Sequence, residues 1–599
     1  MPTLYQAPVE DFVFLIHDVF TPDAGHPAAE LARSDTRQLL EQAARFFESV
    51  WAPLDAAGDR EGCRLVDGEV RTPTGYAAAY NAYCAAGWNS VSAPAEFGGS
   101  GLPNVIGQAV REFASGACNA LGLYGGLTNG AHATVRRTGE AWMSAHVLPK
   151  MVAGQWTGTM CLTEPHCGTD LRLMKARALP VADGSYRLSG TKIFISGGDH
   201  DLAENVIHLV LAKVPDTDGR IADDLSSVQL FLVSKRQLDP ASGSLGAANG
   251  VTVGGVEHKM GLKGNATCTL YFEDAVAYRL GSPATGASAG RRSSAGMSGM
   301  FDMMNSARLG TGLQAVASAQ RAYGHAATYA RERLAGRAVL PAQRTGAAAD
   351  PVIVHPDVRR LLLKQASFIE AARALGVYVR LLLDSGDARR IALGSLLTPV
   401  VKAYFSDRAF ESANDALQVL GGHGYIQDNG IEQLVRDCRI FQLYEGANGV
   451  QALDLVQRKL PAQGGQVFAD FMQAARQCAA VDGDAPELAA FARAFSDALD
   501  LLHRCADWLG DASRQPADSG GASYDFLSLL GIVACSQMWL LMARAAQGQL
   551  LSGGSAPFAQ RKLALARYWF ARELPVIDGL QQRIRSGSAC LMDPPAHLF

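Results

Sequence analysis

The 599-residue sequence predicts an α+β protein built of four blocks, in the order helical, β, helical, helical. Three observations carry this. Apolar residues recur at helical spacing up to about residue 158. The period falls to two between about 160 and 280, and helical spacing then returns, broken at the glycine pair Gly464-Gly465. Apolar residues three and four apart line one face of a helix, whereas strict alternation lines one face of a strand. The length also exceeds what one ordinary core accommodates, so several domains are expected.

Taken in order, residues 1–34 form an N-terminal extension. Its apolar run Phe12-Val13-Phe14-Leu15-Ile16 is flanked by Asp11 and His17 and is too short to span a bilayer. Residues 35–159 read as an N-terminal helical domain, interrupted where Glu96-Phe97-Gly98-Gly99-Ser100-Gly101-Leu102-Pro103 breaks the pattern. Residues 160–280 read as a middle β-domain with strands at 206–212, 228–233 and 268–272. The stretch 281–299, rich in Gly, Ser and Ala and carrying Arg291 and Arg292, is expected to be a loop. It opens a helical bundle over 281–463, and 467–599 is an additional helical domain. In that domain 527–545 is strongly apolar, but Ser528, Ser536 and Gln537 mark it as a buried helix and no integral membrane segment is expected.

Composition narrows the class. Hydrophobic residues make up 48% and charged ones 19%, which supplies ample buried core. A formal net charge of −4 argues against a nucleic-acid binder. The eleven cysteines are dispersed without a C-x-x-C pair, so no zinc ribbon or redox motif is expected. Dispersed thiols in odd number, and no basic-then-apolar leader, point to a reducing cytoplasm.

Two segments carry candidate chemistry. In Arg436-Asp437-Cys438-Arg439-Ile440-Phe441-Gln442-Leu443-Tyr444-Glu445-Gly446 a carboxylate stands directly before glycine, after an apolar and aromatic run. Burial raises a carboxyl pKa and makes it a better proton acceptor. Glycine beside it lets a ligand approach the backbone. A solvated helix end is the plainer reading of the same residues. Upstream, Met160-Cys161-Leu162-Thr163-Glu164-Pro165-His166-Cys167-Gly168-Thr169-Asp170 sets hydroxyls and backbone amides at an irregular corner. Such a corner can hydrogen-bond a flat heteroaromatic edge and a pyrophosphate, or serve only as a helix cap and turn. His166 and Cys167 supply two ligands, too few for a metal site.

Together the two segments resemble the acyl-CoA dehydrogenase family, in which they lie on opposite sides of one flavin. The resemblance covers about residues 35–460. It implies an N-terminal helical domain, a middle β-domain and a C-terminal four-helix bundle. The fourth block, with the opening Tyr5-Gln6-Ala7-Pro8, looks like the long bacterial subgroup that includes 3-methylmercaptopropionyl-CoA dehydrogenases and related fatty acyl-CoA dehydrogenases.

FAD is the cofactor this resemblance implies. Met160, Leu162, Thr163, Gly168 and Thr169 fall on the flavin side, with Thr169 also near acyl-CoA. Phe194, Ile195 and Ser196 stand where the family usually has Trp-Ile-Thr. Phenylalanine keeps an apolar face but loses the indole N–H, while serine keeps a hydroxyl. Arg333 matches an arginine that reaches across a subunit interface to the FAD pyrophosphate; Arg337 is the alternative, and a solvated helix face is a third reading. Gln418, Gly421 and Gly422 match a turn that cradles the adenosine half from a neighbouring subunit, or form a plain helix C-cap. Ala447 and Gly449 replace the usual Thr-x-Gln, which removes one hydroxyl contact.

Glu445 is the implied catalytic base. The competing family position adjoins Arg308, and Asn305-Ser306-Ala307-Arg308 holds no carboxylate. Thr169, Arg308, Tyr444 and Gly446 fall on the substrate side, Arg308 either near the CoA arm or as a structural helix arginine. Tyr124, His132 and Met160 are candidates for the acyl pocket, and Arg436-Asp437 is expected to be a packing ion pair. The implied reaction belongs to fatty acid β-oxidation: Glu445 removes the Cα proton, the Cβ hydride passes to flavin N5, and a 2,3-enoyl-CoA results. The substrate would be a fatty acyl-CoA or 3-methylthiopropanoyl-CoA, and the acceptor an electron-transfer flavoprotein or similar carrier.

Three other readings compete. An acyl-CoA oxidase passes its electrons to oxygen. A flavin monooxygenase on the same fold has no use for a positioned base. A DNA-binding relative with an added helical domain meets 11 Lys/Arg against 13 Asp/Glu over 467–599, a net of −2 and the wrong sign for phosphate. The added domain is instead expected to cover the bundle face through which shorter members pair dimers into tetramers, leaving a homodimer. Gly531 would allow the close helix approach this requires.

Overall fold

The computed structural model describes residues 5–20, 30–216, 218–281, 295–480, 483 and 485–598. The chain forms two compact units, Arg45–Ala307 and Met1–Ala44 with Arg308–Phe599. Of the expected loop at 281–299, residues 282–294 lie outside the described residues. From Ala295 the chain is already helical, so the glycine- and serine-rich composition overstated the loop.

Unit Arg45–Ala307 packs the helices Asn104–Ala117 and Asn119–Thr138 with a seven-stranded sheet. Five of its strands close into a ring. Thr267–Leu280 pairs Tyr186–Ser196, which pairs Arg177–Pro180; that strand meets Asn205–Lys213 through the pair Arg177 and Lys213. Asn205–Lys213 pairs Val228–Ser234, which returns to Thr267–Leu280. Every residue of Asn205–Lys213 and Val228–Ser234 is buried, as continuous apolar strands covered on both faces should be. The three expected strands fall inside these elements. The first strand begins at Trp156, four residues before the expected boundary. A hairpin, Arg64–Val66 with Glu69–Arg71, was not foreseen. Its turn, Asp67-Gly68, has φ of 53° and 82°, the Asp-Gly pair that a tight hairpin favours.

In the other unit the long helices Pro356–Leu383 and Ala388–Leu420 form the bundle with the helix that ends at Glu332. Gln463, Gly464 and Gly465 adopt left-handed φ and start the added domain. Its central helix, Pro516–Leu551, has a window of mean hydropathy 1.9, yet 89% of that window is buried inside the protein. This is a core helix. Trp539 Nε1 donates to the Ser367 carbonyl of the bundle at 3.1 Å. A Cβ on Gly531 would lie 2.6 Å from the Tyr404 ring, so the helices meet where only glycine fits.

The N-terminal extension is held by buried charge. Its helix Val9–Phe14 sets Asp11 3.1 Å from Arg373 of the bundle and 2.5 Å from Lys562 of the added domain. Lys562 also pairs with Glu370 at 2.7 Å. Burial alone would raise the Asp11 carboxyl, but Lys562 and Arg373 outweigh it and hold it at about 2. Removing one member of such a set leaves buried charge uncompensated, which costs about 3–5 kcal/mol. Lys562→Met is therefore expected to lose about that much stability in chemical denaturation. A variant within about 1 kcal/mol of the parent would show that the network contributes little.

Candidate active site

Glu445 lies on the loop between the 3₁₀ turn Arg439–Gln442 and the helix Asn448–Asp454. Its φ is 57° and that of Gly446 is 87°, two left-handed residues in succession. A non-glycine residue there is strained, so the surroundings must hold it. Gln451 Nε2 donates to the carbonyls of Glu445 at 3.2 Å and Gly446 at 3.3 Å. Tyr444 Oη donates to Gln314 Oε1 at 2.9 Å. The positive φ of Gly446 favours glycine, and a Cβ there would stand 2.4 Å from Gln451 Nε2, the amide that holds the loop.

Burial pushes the Glu445 carboxyl up to about 7, against the opposing pull of Arg308 and Lys402. Neither cation pairs with it directly. Arg308 Nη1 lies 3.2 Å from Asp454 Oδ2, and Lys402 Nζ donates to Asn448 Oδ1 at 2.8 Å. Lys402 is itself fully buried, which brings its ammonium down to about 8. The backbone N–H of Glu445 has no partner among the described residues. A carboxylate titrating near neutrality beside a free backbone donor suits a base acting on a carbon acid next to a carbonyl.

The residues expected on the flavin side belong to unit Arg45–Ala307. Glu164 locks their corner. Its carboxylate accepts from Lys192 Nζ at 2.8 Å, the Ala176 amide at 3.0 Å and the Lys175 amide at 2.7 Å. Lys192 Nζ also donates to the Leu162 carbonyl at 3.0 Å, and the Ile193 amide donates to the Thr163 carbonyl at 3.0 Å. This fixes the strand Tyr186–Ser196 against the corner. Phe194, at φ 59°, is left 59% exposed, while Ile195 is buried and Met160 packs on the sheet core. Gly168 and Thr169 are exposed, and Leu162 is half-buried. The hydroxyls of Thr163, Thr169 and Ser196 make no hydrogen bond among the described residues. An exposed aromatic face with free hydroxyls around it fits a flavin. Ligand atoms of Glu164, His166 and Cys167 lie within 4.8 Å of one another, but Glu164 already holds three donors and His166 Nε2 contacts the Leu173 carbonyl at 2.9 Å.

The arginine question is narrowed by geometry. Arg337 Nε lies 3.4 Å from Asp350, and its guanidinium also donates to the Thr345 and Ala347 carbonyls, so it folds its own loop. Arg333 is exposed and has no side-chain partner among the described residues. Tyr329 Oη lies 3.1 Å from His423 Nδ1, which ties this helix end to the turn Gly421–Tyr425. Gln418, Gly421 and Gly422 are exposed beside it, and Ala447 and Gly449 flank Asn448 on the Glu445 loop.

Several of the expected residues are engaged within the chain. Arg436 pairs with Glu432 at 2.6 Å, and Asp437 accepts from Gln433 Nε2 at 3.3 Å, so both take part in packing within their own helix. Arg308 is buried against Asp454. Tyr124 is buried, with its hydroxyl bonded to the Ala266 amide at 2.9 Å, and so holds the fold together. Burial brings His132 down to about 4. A cavity of about 1010 Å³, lined in part by Leu460, Phe468 and Met472, contains none of the expected site residues.

Four domain families match in succession. These are the acyl-CoA dehydrogenase N-terminal domain over 33–155, its middle domain over 159–275 and its C-terminal domain over 294–460. The acetyl-CoA dehydrogenase C-terminal-like domain follows over 468–595. The chain therefore belongs to the acyl-CoA dehydrogenase family, whose members are FAD-dependent oxidoreductases. It has the long, four-domain form. It is 38% identical to the 3-methylmercaptopropionyl-CoA dehydrogenase of Ruegeria pomeroyi over 94% of this chain and 95% of that protein. It is 32% identical to the broad-specificity linear acyl-CoA dehydrogenase FadE5 of Mycobacterium tuberculosis, over 97% of each. Among solved structures, Caenorhabditis elegans ACDH-11 in complex with C11-CoA shares the fold with a TM-score of 0.78 at 18% identity, covering 100% of this chain and 97% of that one. An acyl-CoA dehydrogenase complexed with FAD from Bacillus anthracis gives 0.74 at 19% identity, covering 97% and 92%.

Gly446→Ala is expected to distort the Glu445 loop and lower the rate of flavin reduction by about tenfold or more, while FAD content is retained. A variant as fast as the parent would show that the loop tolerates a side chain there.

Proposed function

We propose that this enzyme desaturates a fatty acyl-CoA or 3-methylthiopropanoyl-CoA to the 2,3-enoyl-CoA, with Glu445 as the general base. The observation that carries this reading is a strained, half-buried glutamate whose carboxyl is held near neutrality beside an unpaired backbone N–H. Bound FAD supplies the hydride acceptor at N5. The chain's part is to place and protect the proton transfer. The Glu445 carboxylate takes the Cα proton. Its own N–H is the donor assigned to the thioester oxygen, where charge develops as that proton leaves. Tyr444 and Gly446 hold the loop and keep the approach to the backbone open.

Phe194, Thr163, Thr169 and Ser196 are assigned to the flavin, with Leu162, Gly168, Met160 and Ile195 shaping the corner. Arg333, Gln418, Gly421 and Gly422 are assigned to the cofactor of a neighbouring subunit in a homodimer. Their shared exposure supports this, as do Tyr425 at 83% and Val339 at 66% exposed nearby. Electrons are then expected to leave to an electron-transfer flavoprotein or similar carrier.

Glu445→Gln should keep FAD and bind acyl-CoA, yet slow flavin reduction by about 10²–10⁴-fold in stopped flow. A rate within tenfold of the parent would sink the assignment. In the parent the base is the ionised form and its pKa is raised to about 7. The reduction rate of the free enzyme with limiting acyl-CoA should therefore rise with pH through about 7, and a flat profile from pH 5 to 9 would contradict it.

Arg333→Ala should purify with depleted FAD and an unchanged melting temperature. Arg337→Ala should instead lower the melting temperature, because it removes a cation beside buried Asp350 and the guanidinium contacts to the Thr345 and Ala347 carbonyls. Full FAD content in Arg333→Ala would overturn the role of that residue.

A further inference from the structure

Beneath the Glu445 loop lies a polar network that the proposed chemistry does not use. Asp407 sits on the helix Ala388–Leu420. Its Oδ1 accepts from Gln442 Nε2 at 2.7 Å and from Asn448 Nδ2 at 2.7 Å. Gln442 lies three residues before Glu445 and Asn448 three residues after it. One carboxylate oxygen therefore staples both shoulders of the strained loop. Its other oxygen, Oδ2, accepts from Tyr524 Oη at 2.7 Å, and Tyr524 belongs to the helix Pro516–Leu551 of the added domain. The amide of Asn448 is fixed further by Ser406 Oγ at 3.0 Å and the Ala403 carbonyl at 3.2 Å. Its oxygen is thereby aimed at Lys402 Nζ.

We propose that Asp407 is a positioning residue for Glu445 and that Tyr524 of the fourth domain holds Asp407 in place, so that this domain forms part of the catalytic scaffold. The inference rests on the assignment of Glu445 as base. Two consecutive left-handed residues are stable only where the flanking chain is fixed on both sides. Asp407 does this from below the loop, and Gln451 does it from the following helix. Without the Tyr524 hydroxyl, Oδ2 loses its donor and the carboxylate is free to turn, which loosens Gln442 and Asn448 together. Displacement of a base by about 1 Å is enough to cost about 10²-fold in rate. The groups facing Glu445 are Arg308 and Lys402, and those facing Lys402 are Asp407, Glu445 and Arg308. Loosening the staple therefore also disturbs the charges that set the base.

The test is Tyr524→Phe in the full-length FAD-loaded enzyme, which removes one oxygen from a side chain that is 39% exposed. With the most active member of a C4–C18 acyl-CoA series, the rate of flavin reduction at saturation should fall by about 10- to 100-fold. The acyl-CoA dissociation constant, FAD content and melting temperature should stay as in the parent. In a Glu445→Gln background the same substitution should add no further loss, because its effect acts through the base. Asp407→Asn, which offers an amide N–H where an acceptor is needed, should lose at least as much rate as Tyr524→Phe. A Tyr524→Phe rate within twofold of the parent would overturn the inference. So would a fall in melting temperature at unchanged rate, which would mark the contact as packing. If Glu445→Gln itself remains within tenfold of the parent, the base assignment fails and this inference falls with it. If Glu445→Gln is dead and Tyr524→Phe is unaffected, only the inference fails.

Discussion

Keeping a half-buried, desolvated carboxyl unpaired is the constraint on which the rest of this site depends. A direct salt bridge to Glu445 would drop its pKa and leave a weak base, while burial without any nearby cation would keep it protonated. The bundle resolves this by placing two cations near Glu445 and giving each a different partner. Arg308 is engaged by Asp454, and Lys402 donates to the neutral amide of Asn448. Both reduce the pKa without pairing with the proposed base, and the net position is about 7. Strain at Glu445 and glycine at 446 are the backbone counterpart. They turn the carboxyl and the N–H out of the regular helix geometry that would otherwise occupy them.

Fully paired buried charge has a different use elsewhere in the chain. Glu164 and Lys192 are both buried and satisfy each other together with two amides and a carbonyl. The corner beneath the free hydroxyls of Thr163 and Ser196 is thereby held rigid. The Asp11, Lys562, Glu370 and Arg373 set works in the same way and joins the extension, the bundle and the added domain. Buried pairs of this kind seldom stabilise more than packed apolar residues would, but they cost dearly when one partner is lost. They therefore specify which elements meet, and the acidic residue on a short N-terminal helix is how the extension finds its place.

Whatever repeats along the chain was legible in the sequence. The period-two strands, the apolar helix around 527–545 and the glycine at 531 are local patterns, and each is reproduced in the fold. Contacts between distant residues were not legible. Asp11 meets Lys562 across 551 positions, and no local pattern points to it. Other signals were present but unused. Asp67-Gly68 is a hairpin turn, and Lys402 is a lone cation in Leu396-Leu397-Thr398-Pro399-Val400-Val401-Lys402-Ala403-Tyr404-Phe405. A charge in such a run must find a buried partner, which makes it a site candidate on sequence grounds alone. For the candidate site, the Glu445 loop and the Thr163 corner could be picked out because glycine and hydroxyl residues interrupt regular spacing. The staple around Asp407 could not, since its three anchors come from three separate elements.

The fourth domain connects these points. Tyr524 and Gly531 are seven residues apart, two helical turns, and so share a face of Pro516–Leu551. That face meets one stretch of the helix Ala388–Leu420, with Gly531 against Tyr404 and Tyr524 on Asp407. Tyr404 and Asp407 are three apart and lie on one side of their own helix, with Lys402 five residues before Asp407. The depth at which the added helix seats is set by the absence of a side chain at 531. That same depth fixes how far the Tyr524 hydroxyl reaches. An apolar helix that buries the outer bundle surface thus cannot shift without moving the carboxylate that spans the Glu445 loop. Cover and the proposed support of the Glu445 loop are two consequences of a single helix–helix contact, and selection for either one would hold the other in place.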